Sequence, residues 1–341
     1  AEQVNVSGIV TAAAFVPTTG QLSHRNIIIN GAMNVAQRGV TSTNTGYQTV
    51  DRFQGGAGGV NENPTFAQVD VSSGTTPYTL GFRKAFKITN GNQTTLDTGD
   101  EVNIVYNIEA QDIITSGWNY KSSSSFATWS FWIKSSVAQN FRGYIRTYDN
   151  TATAYAFETG TLSANTWTKI VRTIPGNSGL DIDNDNGTGL QIRLLAYIGT
   201  AYTDNSTPTH SWVTYNALAR TPDNTSTWYQ TNDATLEITG YQFEVGDTAT
   251  SFEHLSLAED KRRCYRYCQR GRHVSSCLVG TPGTYYFSRG NINLFTPMRA
   301  TVTGTLKAAT WNSNRYFKYM TWSSETNVTA APASTTFASG N

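Results

Sequence analysis

The chain has 341 residues and a formal net charge of +1, and only 14% of its residues are charged. That length is enough to bury a substantial core, while so weak a charge leaves no field to draw in nucleic acid or acidic lipid. Its cysteines, Cys264, Cys268 and Cys277, are odd in number and clustered, which excludes a disulfide framework for a chain of this size.

Thr, Ser, Asn and Gly fill the place of charges, and Trp, Tyr and Phe make up 12% of the chain. Short polar side chains favour turns over helices, and aromatics with Thr suit a pleated, half-buried surface. The composition therefore predicts an all-β protein. Residues 1–24 carry Val4, Val6, Ile9, Val10, Phe15 and Val16, interrupted afterwards by Pro17 and Gly20. These β-prone residues predict an extended attachment arm that orders against a partner, with a loose terminus as the alternative. The apolar run Ile9–Val16 is far short of the ~20 residues of a membrane span and lacks the basic start of a signal peptide. Ala1 fits either removal of an initiator Met or cleavage of a precursor.

From Asn26 onward the pattern is strand, turn, strand. Ile27–Ile29 runs into the turn dipeptide Asn30-Gly31, and Phe82–Ile88 and Val102–Ile108 are bounded by Asn90-Gly91 and Gly99-Asp100. In Ala127–Lys134, Trp129, Phe131 and Ile133 alternate with Thr128, Ser130, Trp132 and Lys134, the period-2 signature of a strand. The same alternation places Thr168, Ile170, Arg172 and Ile174 on one face, then Leu190, Ile192, Leu194, Ala196 and Ile198, then Tyr241, Phe243 and Val245. Many strands between polar turns predict a jelly-roll sandwich over residues 25–255. Ser256 with Glu259 forms a capping box, Arg266 and Arg270 suit the far end, and Gly271 supplies a stop. The spacing predicts a helix over 257–270 within a joint at 256–271, followed by a small β-domain at 272–341 with strands at Tyr285–Phe287, Ala300–Leu306 and Tyr316–Trp322.

Three groups of residues invite a chemical reading. Asp181, Asp183 and Asp185 alternate as in calcium loops, but Ile192 stands where an EF-hand needs Glu. A different calcium loop and a plain polar loop both remain open. Cys264, Cys268, His273 and Cys277 approach a zinc-knuckle spacing without matching it, and buried free thiols are the alternative. Aromatics in turn-rich stretches (Trp118, Tyr120, Tyr202, Trp212, Tyr215, Trp228 and Tyr229) could stack on sugar rings, although most such rings fill cores. Trp212, Tyr215, Trp228 and Tyr229 form the strongest group. No nucleophile elbow, P-loop or H-E-x-x-H is present, so the reading is non-enzymatic and without a cofactor. A carboxylate pair has no spacing rule, and a glycan depolymerase stays as an alternative.

Three stretches carry a resemblance when taken in order. Asn26-Ile-Ile-Ile-Asn-Gly-Ala-Met-Asn-Val-Ala-Gln-Arg-Gly39 is followed by Thr49-Val-Asp-Arg-Phe53, then by Trp129-Ser-Phe-Trp-Ile-Lys-Ser-Ser136. The third runs from Ile238-Thr-Gly-Tyr-Gln-Phe-Glu-Val-Gly246 through Thr248-Ala-Thr-Ser-Phe-Glu-His254 to Cys264-Tyr-Arg-Tyr267. This succession resembles bacteriophage tail-fibre or virion-fibre proteins of the kind common in phages of cyanobacteria and other marine bacteria. The resemblance implies a jelly roll like that of carbohydrate-binding modules and display on the virion, often as a homotrimer. It also implies contact with a host-surface glycan and attachment through an N-terminal segment. The Cys-Tyr-Arg-Tyr-Cys order and the short C-terminal part depart from the pattern. They keep a capsid or tail decoration, cement or adaptor protein without a ligand as the alternative. Neither nucleic acid nor membrane insertion is expected.

Overall fold

The computed structural model describes residues 24–269 and 297–299, together with the backbone of short strands at 273–276, 278–279, 285–286 and 317–320. It is mostly β: two six-stranded antiparallel sheets stack into a sandwich, with a few short helices. Across the first sheet the order is β1 (Thr41–Ser42), β3 (Thr65–Asp70), β4 (Lys84–Thr89), β12 (Thr235–Val245), β6 (Phe126–Ser135) and β9 (Thr168–Pro175). Across the second it is β11 (Trp212–Thr214), β8 (Thr153–Thr161), β7 (Asn140–Thr147), β10 (Thr188–Ile198), β5 (Glu101–Glu109) and β2 (Phe53–Gly58). The chain passes repeatedly between the sheets, so the core is closed by residues far apart in sequence. The helices α1 (Thr76–Thr79), α2 (Ala110–Ile114) and α3 (Thr227–Gln230) are short links between strands.

Alternation explains most of the layering. Trp129, Phe131 and Ile133 of β6 enter the core, while Trp132 and Lys134 keep partial exposure. Trp129 stacks on Phe131 and meets Phe157 of the second sheet edge-on at 4.7 Å. Leu190, Ile192, Leu194 and Ala196 of β10 line the same core. Ile198 corrects the expectation. A register shift between Leu195 and Tyr197 turns Tyr197 inward and sends Ile198 to the outer face beside Tyr144 and Leu195, as a bulge does to every residue beyond it.

Six strands of the sandwich fall outside the sequence expectations: β1, β2, β3, β7, β8 and β11. β2 reads Phe-Gln-Gly-Gly-Ala-Gly, a composition that disfavours strands, but Gly55 answers to the opposite sheet and Gly56 to Asn103 of the neighbouring β5. A Cβ on Gly55 would lie 2.4 Å from the Phe66 ring. In β7, Phe141 and Ile145 alternate as core residues, and Gly143 interrupts the hydrophobic signal between them.

Ile27–Ile29 is not a strand, but the turn at Asn30-Gly31 forms. The segment from His24 lies along β12 through single hydrogen bonds. The Asn26 side chain donates to the Tyr241 carbonyl, the Phe243 amide donates back to Asn26 Oδ1, and the Tyr241 amide donates to the Gly31 carbonyl. Asn30 is buried and holds a second tie, its Nδ2 donating to the Val35 and Asp51 carbonyls while its Oδ1 accepts from the Val35 amide. Gln37 donates from its backbone and its side chain to the Asp51 carboxylate. The residues that carry the sequence resemblance here form a buried polar lock.

Helix α4 (Leu257–Cys264) starts where expected, with Ser256 Oγ accepting from the Glu259 amide. It ends six residues earlier than 257–270. Tyr267 and Cys268 both return to the Cys264 carbonyl, tightening the last turn. Arg266 then forks onto Glu109 through Nε (2.9 Å) and an Nη (2.8 Å), and the Arg52 guanidinium stacks on the Tyr267 ring at 3.5 Å. Asp260 accepts from the Asn30 amide. These contacts make α4 part of the sandwich rather than a joint outside it. Beyond it, β13 (His273–Ser276) pairs with β16 (Phe317–Met320) and β14 (Leu278–Val279) with β15 (Tyr285–Tyr286). A separate second domain is not shown among the described residues. The expected strand at Ala300–Leu306 lies outside them, as do residues 1–23 of the arm expected at 1–24, with Val4, Val6, Ile9, Val10, Phe15 and Val16.

Candidate functional site

Of the four aromatic residues singled out for sugar stacking, two are withdrawn by their burial. Helix α3 carries Trp228 and Tyr229 into the core, where both are 0% exposed and Tyr229 stacks on Tyr197 at 4.3 Å. A ring with no exposed face cannot meet a sugar. Burial, with Asp100 close by, pushes the Tyr229 hydroxyl well above its ordinary range. Trp212 is half-buried at the sheet edge and its indole N–H donates to the Pro175 carbonyl at 2.7 Å, which ties β11 to the opposite sheet. Tyr215 alone of the four lies on an outer sheet face with its ring partly exposed. Among the other aromatics, Trp118 is 3% exposed and Tyr202 packs on the outer face of the second sheet.

The acidic run lies beside Asp149, whose carboxyl is pushed up by burial and by the charges of Asp181, Asp183 and Asp185. Asp181 accepts from Asn150 and faces Lys121, the Asp183 amide donates to Asp149, and Asp185 caps its own turn by accepting from the Gly187 amide. Among the described residues no group of three or more His, Cys, Asp or Glu is placed to hold a metal ion. Cys264 and Cys268 are both buried, and burial pushes the Cys264 thiol well up. The side chains of His273 and Cys277 lie outside the described residues.

What the fold does assemble is a polar and aromatic row on the outer face of the second sheet. Asn107 of β5, Gln191 of β10 and Arg146 of β7 stand directly opposite one another, and Ala154 of β8 follows. At ~4.8 Å between strands this row is about 15 Å long. Asn107 and Gln191 each sit between two core residues in sequence, and Arg146 and Ala154 each adjoin one, so alternation turns the row outward. Asn107 Nδ2 donates to the Tyr47 hydroxyl at 3.3 Å, and Gln191 Nε2 donates to Asn107 Oδ1 at 3.0 Å. Gln191 Oε1 has no described hydrogen-bond partner.

Arg146 is the central group. Its guanidinium lies 3.8 Å from the Tyr215 ring centre and 4.3 Å from that of Tyr148, which is 40% exposed. No carboxylate of a described residue stands within ion-pair distance of it, unlike Arg142, Arg193 and Arg220 on the same face, which pair with Glu158 and Glu101. The segment after β10 folds over one end of the face, so that Tyr202 and Tyr215 cover Tyr144, Leu195 and Ile198. The site is therefore a cation clamped between two tyrosines, with two amide side chains extending from it. Of these residues only Tyr215 is legible in the sequence. Gln191 carries a signal in its place between Leu190 and Ile192, but Arg146 and Tyr148 gain meaning only from the neighbouring strands.

No family model matches the sequence, and no curated protein matches it. Among solved structures the chain is similar to the enzymatically active domain of tailspike protein 4 of bacteriophage CBA120, at 11% identity and a TM-score of 0.32. That match covers 64% of this chain, which spans only 21% of the tailspike chain. A structure described as "CBM4 structure and function" is similar at 14% identity, covering 63% of this chain and 97% of its own, with a TM-score of 0.33. A putative sugar binding protein from Bacteroides thetaiotaomicron VPI-5482 is similar at 11% identity, covering 64% and 99%, with a TM-score of 0.32.

Proposed function

We propose that this chain is a non-catalytic, fibre-like structural protein of a phage particle that binds a host-surface glycan on the outer face of its second sheet. The observation that carries the glycan reading is the Arg146 guanidinium lying against the rings of Tyr148 and Tyr215, without a carboxylate partner among the described residues, in line with Gln191 and Asn107. A sugar ring offers an apolar C–H face and a fringe of hydroxyls that donate and accept. Tyrosine rings suit the face, and amides with a fixed guanidinium suit the fringe. The clamp also limits the side-chain entropy that Arg146 would lose on binding. Placement on a virion, attachment through residues 1–24 and a homotrimeric state rest on the sequence resemblance. Open sheet edges at β1 and β9, and at β2 and β11, give symmetric association a physical motive.

A glycan array of bacterial envelope polysaccharides with purified protein tests the reading. Binding is expected, and Arg146→Ala and Tyr215→Ala each weaken it about tenfold, the equivalent of about 1.4 kcal/mol. Wild-type protein that binds no glycan, or variants that bind as wild type does, would sink it in favour of a decoration or adaptor protein. Release of reducing ends from a bound polysaccharide would instead make the protein a depolymerase.

A further inference from the structure

The solvent face of the first sheet carries a different constellation, away from the Arg146 row. On β6 and the edge strand β9, Trp132 stands directly opposite Lys169. Two residues along β6, Lys134 points its ammonium at the Trp167 ring, 5.2 Å from the centroid. Indoles and ammoniums thus alternate in a two-by-two pattern. Inward, the same rows continue to Thr239 beside Trp132, and to Glu237 and Lys87 beside Lys134. Lys134 pairs with Glu237 at 3.0 Å. Lys87 and Lys169 have no carboxylate of a described residue within ion-pair distance, and Lys169 is exposed. Val171, next but one along β9, is 37% exposed and extends the apolar strip.

Both tryptophans keep partial exposure, and the Trp167 indole N–H is buried without a described acceptor. Their inner portions pack against a small apolar cluster of Ala32, Val71, Phe82 and Ala85, apart from the main core on the opposite face of β6, which leaves their exposed portions to solvent. Lysines and tryptophans at the margin of a sheet also leave three cations against one carboxylate, Glu237. The pattern calls for a ligand with a flat C–H face for the indoles and a negative charge for the ammoniums.

We infer that this face is a second ligand surface, specific for an acidic polysaccharide bearing carboxylate or sulfate groups. Trp132 and Trp167 take the sugar faces, and Lys169 and Lys87 take the charges. Single-stranded nucleic acid would offer similar chemistry, but its binding is dominated by counterion release from many phosphates. A protein of net charge +1 with Glu237 among these lysines is poorly suited to that. The surface does not depend on the Arg146 row, and either can fail without the other.

The test is affinity electrophoresis of the full chain in gels containing polygalacturonate, dextran sulfate or neutral dextran, with poly-dT binding measured in parallel. Retardation by one or both acidic polymers is expected, weakening as salt rises. Which polymer acts separates carboxylate from sulfate as the charge recognised. Lys169→Glu should weaken retardation about fivefold and Trp132→Ala about tenfold, with Trp132→Phe intermediate. Lys169 is exposed, so its variant reports on binding even if Trp132→Ala misfolds. Unretarded wild type, equal retardation in neutral dextran, tighter binding to poly-dT, or wild-type retardation of Lys169→Glu would each overturn the inference. So would a wild-type dimer that Lys169→Glu dissociates, since the face would then be a self-association surface.

Discussion

Trp228 and Tyr215 stand thirteen residues apart in one polar, aromatic-rich stretch, yet they do opposite work. Trp228 has no exposed surface and fills space between the sheets. Truncation to Ala should cost about 3–5 kcal/mol through lost burial and the cavity left behind, read as a lower urea midpoint at an unchanged slope. Tyr215→Ala should move that midpoint far less. Equal losses from the two variants would show that the outer-face packing is structural. Backbone contacts make similar demands at single residues. A Cβ on Gly31 would sit 2.0 Å from the Tyr241 carbonyl oxygen, so Gly31→Ala should displace the 24–31 segment from β12 and lower the thermal midpoint. The Asn-Gly turn is legible in the sequence at this position. The need for glycine is not, because the obstructing oxygen comes from the other end of the fold.

Helix α4 shows the same division among elements. Its capping box announces the N-terminus, and Ser256→Ala should cost about 1 kcal/mol by freeing the Glu259 amide. The far end is set by Glu109, which is 157 residues from Arg266. Burial pushes the Glu109 carboxyl up, but hydrogen bonds from Arg266 and Tyr267 and the Arg266 charge outweigh it, so it titrates below its ordinary value of 4.5. A folded-state value below the unfolded one means that this stabilisation is complete above about pH 4.5 and is lost as pH falls through the folded value. Acid should therefore loosen the turn after α4, seen as lower amide protection over residues 265–268, relative to the intrinsic exchange rate at each pH, below pH 4.5 than above it. Arg266→Met should cost about 3 kcal/mol at neutral pH by leaving the Glu109 carboxylate, 1% exposed, without its cation. The double variant Arg266→Met/Glu109→Gln should recover part of that loss and abolish the acid dependence. An acid response that persists in the double variant would assign it to other carboxylates.

For the whole molecule, the described chain begins at His24, whose amide donates to the Glu253 carboxylate while Asn26 donates to the same group. His24, the last residue of the proposed attachment arm, and Asn26 after it are thus tied to the sandwich. Deleting residues 1–23 should give folded protein with an unchanged thermal midpoint that no longer joins particles, measured by mass spectrometry of purified virions. Incorporation of the deleted protein would show that attachment lies elsewhere. The sequence by itself determined the β class, the inward faces of β6, β10 and β12, the turn at Asn30-Gly31 and the start of α4, because each depends on neighbours within a few residues. Only the tertiary structure decided which aromatics are core and which are surface, where Ile198 points, that α4 belongs to the sandwich, and that Arg146 meets Tyr215. Those outcomes depend on which strands become neighbours, and a bulge or a crossing between sheets changes that without leaving a local mark in the chain.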